Sequence, residues 1–150
     1  MLTLHQECIL LNLQATNKEG VLEELTQLAV QHYNNLDEQQ LLATLLEREQ
    51  IGSTGVGNGV AIPHGKMLGL EEIIFCFGRS TGGVNFEAID NRPVFLFAML
   101  LSPLNIASDY LKALAHVSTV LKEQQNRIML LQDPSPKDVV SLFTPPEKNL

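Results

Sequence analysis

Two stretches of this chain are apolar without interruption, and they dictate the fold class. Val94-Phe95-Leu96-Phe97-Ala98-Met99-Leu100-Leu101 shows no polar alternation, and neither does Ile73-Ile74-Phe75-Cys76-Phe77. A strand wetted on one side alternates with period two, whereas a strand buried on both faces reads as a continuous run. Neither run approaches the ~18 residues that a membrane-spanning helix needs. Both therefore belong inside a sheet covered on each face, and the chain supplies helices to cover it. Upstream, Val21, Leu22, Leu25, Leu28 and Ala29 recur at helical spacing, and Leu41, Leu42, Leu45 and Leu46 form a second stripe that starts near Asp37. Downstream, Leu111, Leu114, Ala115, Val117, Val120 and Leu121 mark a long helix over 108–122, followed by a short one over 126–131. Ser135-Pro136-Lys137-Asp138 opens a last helix, with Pro at its first position and an acid at its third. The expectation is one α/β domain over 1–150: a three-layer α/β/α sandwich with a central mixed β-sheet flanked by helices.

Local signals fill in the connections. Residues 8–13 read as a first strand or an extended entry. Thr16-Asn17-Lys18-Glu19 has capping-box form, with the Thr16 hydroxyl and Glu19 carboxylate meeting the first free N–H groups. Residues 72–79 read as a buried strand, Thr81-Gly82-Gly83 as a turn, 84–86 as a short edge strand, and Asp90-Asn91-Arg92-Pro93 as the turn into the central strand. Residues 144–150 read as a frayed tail. The chain carries 10 basic against 17 acidic residues, a formal charge of −7, with no basic cluster. That excludes a nucleic-acid binder, which must neutralise phosphates. Any anion site must be local. Cys8 and Cys76 are the only cysteines, and Cys76 lies inside an apolar run, so both suit a reducing compartment better than a disulfide framework. No signal-peptide pattern opens the chain. These features predict a cytoplasmic protein without membrane insertion.

One segment has no periodicity at all: Gly52-Ser53-Thr54-Gly55-Val56-Gly57-Asn58-Gly59-Val60-Ala61-Ile62-Pro63-His64-Gly65, with five glycines and one proline. Glycine lets a backbone turn tightly and bring N–H groups close to an anion. Gly52 and Gly57 have the spacing of a nucleotide-binding P-loop, but Asn58-Gly59 stands where Lys-Ser/Thr must be. Gly55-Val56-Gly57 lacks the third glycine of a dinucleotide fingerprint and follows a helix, not a strand. No H-E-x-x-H or clustered carboxylate pattern supports a metallohydrolase. What remains is a glycine-rich loop leading to a histidine held between Pro63 and Gly65. A histidine there is by default a surface residue. Its chemistry also suits phosphoryl acceptance: imidazole is largely neutral near its ordinary pKa of ~6.5 and offers a lone pair. Transfer through a loose transition state needs positioning and positive potential. Arg48, near the end of the second helix, could provide it together with a cradle of Ser53, Thr54, Gly55, Gly57, Asn58 and Gly59, with Lys66 a weaker candidate.

The run from Leu46-Glu47-Arg48-Glu49 to Ile62-Pro63-His64-Gly65 resembles the signature of the IIA domains of the bacterial phosphotransferase system, in the fructose/mannitol/nitrogen branch. Phe86-Glu87-Ala88-Ile89-Asp90-Asn91-Arg92-Pro93-Val94 is most similar to the nitrogen-regulatory members. The resemblance covers nearly the whole chain. It implies a three-layer fold with a mixed sheet, His64 as the phosphoryl-accepting residue, Arg48 as the active-site arginine, and a histidine-containing phosphocarrier protein (HPr/NPr-like) as donor. It implies no cofactor and no metal. Where the family commonly has a second histidine, near the start of the long helix, this chain has Tyr110. His116 lies about 240° around the helix from Tyr110 and does not replace it. His5 and His32 read as surface residues. A lone domain of this kind points to regulation through protein–protein contacts, with regulatory targets or a IIB domain downstream. The alternatives are a fold-retaining binding module with impaired transfer and a sugar-transport IIA. A homodimer through apolar helix faces is a further expectation.

Overall fold

The computed structural model describes residues 2–34 and 36–145. After a short 3-10 turn (Gln6–Cys8), the elements are β1 (Ile9–Leu10), α1 (Lys18–His32), α2 (Glu38–Ile51), β2 (Gly55–Gly57), β3 (Val60–Ala61), β4 (His64–Lys66), β5 (Ile74–Val84), β6 (Val94–Ser102), α3 (Ala107–Lys122), α4 (Gln124–Leu131) and α5 (Pro136–Phe143). The sheet order is β1-β5-β6-β3-β2, with β4 also on β6. The apolar run over 94–101 is the centre of this sheet. It pairs antiparallel with β5, the other apolar run, and parallel with β3 and β4, which are successive pieces of one interrupted strand. The sheet is mixed and lies in the middle of three layers.

The period of two along β5 shows how the layers divide. A Cβ added at Gly78 would meet Leu25 of α1, whereas Phe75 and Phe77 pack on Phe143 of α5, with ring centroids at 5.1 and 5.6 Å. Even positions thus face α1 and odd positions face α5. Helix α2 joins α1 on its side, against β4, and α3 and α4 join α5. Cys8 and Cys76 are both buried and unbridged, as the apolar run around Cys76 predicts.

The chain departs from the sequence expectations at several junctions. Helix α1 is capped by Asn17, whose Oδ1 accepts the Gly20 N–H at 2.8 Å, and not by a Thr16–Glu19 box. Thr16 instead gives its carbonyl to the Asn85 N–H, which fixes it one residue too early to cap. Thr81-Gly82-Gly83 does not end a strand. Strand β5 runs on to Val84, which pairs with Val94, through an irregular register that Gly83 permits at φ 86°. The separate edge strand over 84–86 does not form. Only Ile9–Leu10 of the expected first strand pairs, parallel to β5. His32 and His5 are half-buried, not simply on the surface, and their rings pack at 4.7 Å. The box at α5 forms as the sequence predicts: Ser135 Oγ accepts the Asp138 N–H, and Asp138 accepts the Ser135 N–H, both at 3.1 Å. Asn35 and most of the expected tail, 146–150, lie outside the described residues.

Candidate functional site

The glycine-rich segment folds into three short strands, and this decides which of its residues meet. His64 pairs with Leu100 near the end of β6, while the Gly59 carbonyl accepts the Phe95 N–H near its start. Five residues along a strand separate the two, roughly 16 Å. Gly57, Asn58 and Gly59 therefore turn the β2–β3 hairpin at the far end of the sheet from His64, with φ of 98°, 58° and 75°. They do not cradle a group on that histidine. Ser53 and Thr54 do lie near it, since the Thr54 carbonyl accepts the Ile62 N–H at 3.0 Å. Their donors are spent locally. The Thr54 N–H and hydroxyl both go to the Glu49 carboxylate, and the Gly55 N–H goes to Ser53 Oγ at 3.0 Å. The loop sets shape more than it offers free N–H groups.

Helix α2 delivers the cation. A Cβ added at Gly65 would come within 2.9 Å of Thr44 Cγ2, so the helix seats directly on β4 because residue 65 is glycine. One turn beyond Thr44, the same helix face carries Arg48. Its Nη1 donates to the Gly52 carbonyl at 2.9 Å, and no carboxylate among the described residues lies within 4.0 Å of it. The rest of its donor fork is left for an anion. Helix α3 brings Tyr110 to the other side of the imidazole, with ring centroids 6.3 Å apart. Lys66, two residues along β4 from His64, holds its ammonium 5.4 Å from the Tyr110 ring. His116 is elsewhere: its Nε2 is 2.7 Å from the Phe143 carbonyl.

The imidazole is half-buried, and its Nδ1 lies 2.6 Å from the Ile62 carbonyl oxygen. A carbonyl only accepts, so Nδ1 carries the proton and Nε2 keeps the lone pair. Burial lowers the pKa of His64 below its ordinary value; the Ile62 carbonyl opposes that shift, the Arg48 charge adds to it, and Glu49 opposes it. The ring is thus neutral and nucleophilic at neutral pH. Burial pushes the Tyr110 hydroxyl up to about 12, against a small opposing pull from Arg48, so it remains a hydrogen-bond donor.

Glu49 is the residue that sequence reasoning missed. It is buried, accepts both Thr54 donors, and pairs with Lys18 Nζ at 3.1 Å. A signal was present: Leu41 and Leu45 are buried, and Glu49 is the next position on that same stripe. An acid on a buried stripe needs partners.

A cleft of 460 Å³ runs along Asn12, Gln14, Thr16 and Ser80, another of 260 Å³ lies by Asp109, Lys112 and His116, and neither takes in His64 or Arg48. Ile51 at the end of α2, Leu68 and Leu104 in the loops after β4 and β6, and Leu111 in α3 are 51–84% exposed.

The fold is that of a IIA component. Residues 2–145 match the family described as EIIA 2 of the phosphoenolpyruvate-dependent sugar phosphotransferase system, and the chain belongs to that family. It is 41% identical over 118 residues to a nitrogen regulatory protein of Bradyrhizobium diazoefficiens, which covers 79% of this chain and 76% of the relative. It is 37% identical over 133 residues to a fructose-specific EIIA component of Haloferax volcanii, covering 89% of this chain and 86% of the relative. The crystal structure of the nitrogen regulatory protein IIA-Ntr from Neisseria meningitidis superposes with a TM-score of 0.88 at 31% identity, over 93% of this chain and 95% of that one. The chain is thus a phosphotransferase-system component with both nitrogen-regulatory and sugar-type relatives. Among the described residues, no helix is long and apolar enough to cross a membrane, and no three potential ligand side chains gather to hold a metal.

Proposed function

We propose that this protein carries a phosphoryl group on Nε2 of His64, received from a histidine-containing phosphocarrier protein in the cytoplasm, and reports its phosphorylation state to partner proteins. The observation that carries this reading is the pairing of Nδ1 with the Ile62 carbonyl, which leaves the lone pair to Nε2, with the Arg48 charge close enough to act on the ring. In the transfer, the N–P bond of the donor phosphohistidine breaks and its electron pair returns to the donor ring. The Nε2 lone pair of His64 forms the new N–P bond. His64 keeps its Nδ1 proton, so positive charge develops on its ring, where the Ile62 carbonyl stabilises it. Arg48 meets the phosphoryl oxygens with a planar fork. The Tyr110 hydroxyl donates to the same group. Exposed apolar side chains on the two helices that carry Arg48 and Tyr110, Ile51 of α2 and Leu111 of α3, offer the donor a contact surface.

The nitrogen-regulatory relatives support a regulatory output. A phosphoryl group brings a charge of about −2 to the face that partners contact. Incubation with phosphoenolpyruvate, the first kinase of the system and a phosphocarrier, followed by intact-mass measurement, tests the reading. The expected result is an acid-labile phosphoryl gain on the wild type that is absent in His64→Ala. A gain retained in that variant refutes it.

Tyr110 in place of a second histidine favours one other reading, a binding module that keeps the fold and has little transfer chemistry. It requires negligible exchange with the donor and partner binding that His64→Ala leaves unchanged.

A further inference from the structure

A continuous chain of polar contacts ends at His64 and begins on a different element, the first turn of α1. Lys18 Nζ lies 3.1 Å from Glu49 Oε1. The Thr54 N–H donates to that same oxygen at 3.1 Å, and the Thr54 hydroxyl donates to Oε2. The Thr54 carbonyl accepts the Ile62 N–H at 3.0 Å, and the Ile62 carbonyl accepts His64 Nδ1–H at 2.6 Å. The Lys18 and Glu49 side chains are 17% and 4% exposed, so this pair is shielded from water. Lys18 itself is held in place: its ammonium stands 4.9 Å over the Phe86 ring and 3.7 Å from the exposed Glu87 carboxylate. The start of its helix is pinned by the bridge between Asn17 and Asn85.

We propose that Lys18 is a positioning residue for His64, acting through Glu49, Thr54 and Ile62 to fix the ring's tautomer and to cancel a carboxylate charge beside the phosphoryl site. This rests on the reading of His64 as the phosphoryl acceptor. The physical need is clear. Glu49 must be buried to anchor the loop, yet an unbalanced negative charge near His64 repels an incoming dianion and favours the protonated ring. Lys18 removes that conflict by pairing with the carboxylate. The groups that bear on His64 are Arg48 and Glu49 from α2, Lys66 from β4, Tyr110 from α3, and Lys18 behind Glu49 from α1. Lys18→Met and Glu49→Gln therefore move the imidazole in opposite directions. The first leaves Glu49 uncompensated; the second leaves Lys18 so.

The test uses the whole protein with nitrogen-15-labelled histidine, and it reads the His64 ring nitrogens by NMR across pH with no donor present. In Lys18→Met the midpoint rises by about half a unit or more and the Nδ1–H tautomer loses population. In Glu49→Gln the midpoint falls. Lys18→Arg restores the wild-type profile, and Glu87→Gln leaves it unchanged because that partner is exposed. Phosphoryl acceptance at neutral pH slows about tenfold in Lys18→Met and stays within about twofold in Lys18→Arg. A folded Lys18→Met protein with the wild-type midpoint and tautomer overturns the proposal. Should that variant not fold, Glu49→Gln decides alone: an unchanged or raised midpoint overturns it. A wild type that accepts no phosphoryl group sinks the carrier reading, while the NMR arms still decide the role of Lys18.

Discussion

At the scale of the residue, the proposed chemistry depends on which nitrogen of His64 holds the proton and on how readily the ring takes a second one. Burial and Arg48 lower the pKa below the ordinary ~6.5, and protonation removes the lone pair. The proposed phosphoryl acceptance is therefore expected to be undiminished at neutral pH and to decline only at acid pH, below the ordinary imidazole range. A rate profile measured with a donor whose own titration is known checks this. Arg48→Gln removes one cause of the lowered pKa, so the acid limb shifts to higher pH. It also removes a charged donor to the phosphoryl oxygens, a loss of about 1.5–3 kcal/mol, which is roughly 10- to 100-fold in acceptance rate. An unchanged rate in a folded Arg48→Gln protein would place the positive potential elsewhere. Tyr110, with its hydroxyl near 12, adds a hydrogen bond without adding a titration near neutrality. Tyr110→His puts a second imidazole beside the first, and the profile then gains a second inflection between about pH 5 and 8.

At the scale of the element, helix α2 and the strand pieces β3 and β4 work as one unit. The contact between Gly65 and Thr44 sets the distance between helix and sheet, and Arg48 rides on the same helix. Gly65→Ala forces a Cβ to within 2.9 Å of Thr44 Cγ2, and a β-branched side chain on a helix has little freedom to turn away. The expected cost is about 1–3 kcal/mol of stability, read by denaturant unfolding, with slower acceptance because Arg48 moves. Thr44→Ser in the same chain removes the clashing methyl and recovers both. If the double variant stays as impaired as the single one, the spacing argument fails. The helices were legible in the sequence because apolar stripes and caps are local signals, as at Asp37, which caps α2 through the Gln39 and Gln40 N–H groups. The glycine-rich segment was legible as a site but not as strands. Its pieces are only two or three residues long, and their pairing with β6 comes from tertiary contact. For that reason the sequence grouped Ser53 and Thr54 with Gly57, Asn58 and Gly59, while register sends the last three to the other end of the sheet. Thr16 looked like a cap because its side chain suits one; a backbone bond to Asn85 awarded the position to Asn17.

At the scale of the whole molecule, the mixed sheet separates two kinds of packing. Helix α2 on one side carries Arg48, and α5 on the other is anchored by Phe143 between Phe75 and Phe77. Phe143→Ala removes that anchor at about 3–5 kcal/mol, a fall in Tm of roughly 10 °C for a chain of this size. Below the melting temperature the proposed acceptance on His64 is expected to persist, since Arg48 and the Ile62 carbonyl lie on α2 and the β3–β4 segment, not on α5. The continuous apolar runs announced this three-layer plan, because only a doubly covered sheet tolerates them. They could not announce the Lys18–Glu49 pair, which joins residues 31 apart on separate helices. The proposed function turns on one atom: Nε2 of His64, left with the lone pair by the bond from Nδ1 to the Ile62 carbonyl. The most direct measurement is the nitrogen-15 spectrum of the phosphorylated protein labelled in histidine. Phosphorus coupling on Nε2 of His64, with Nδ1 still protonated, is the predicted result. Coupling on Nδ1, or on any other histidine, contradicts it.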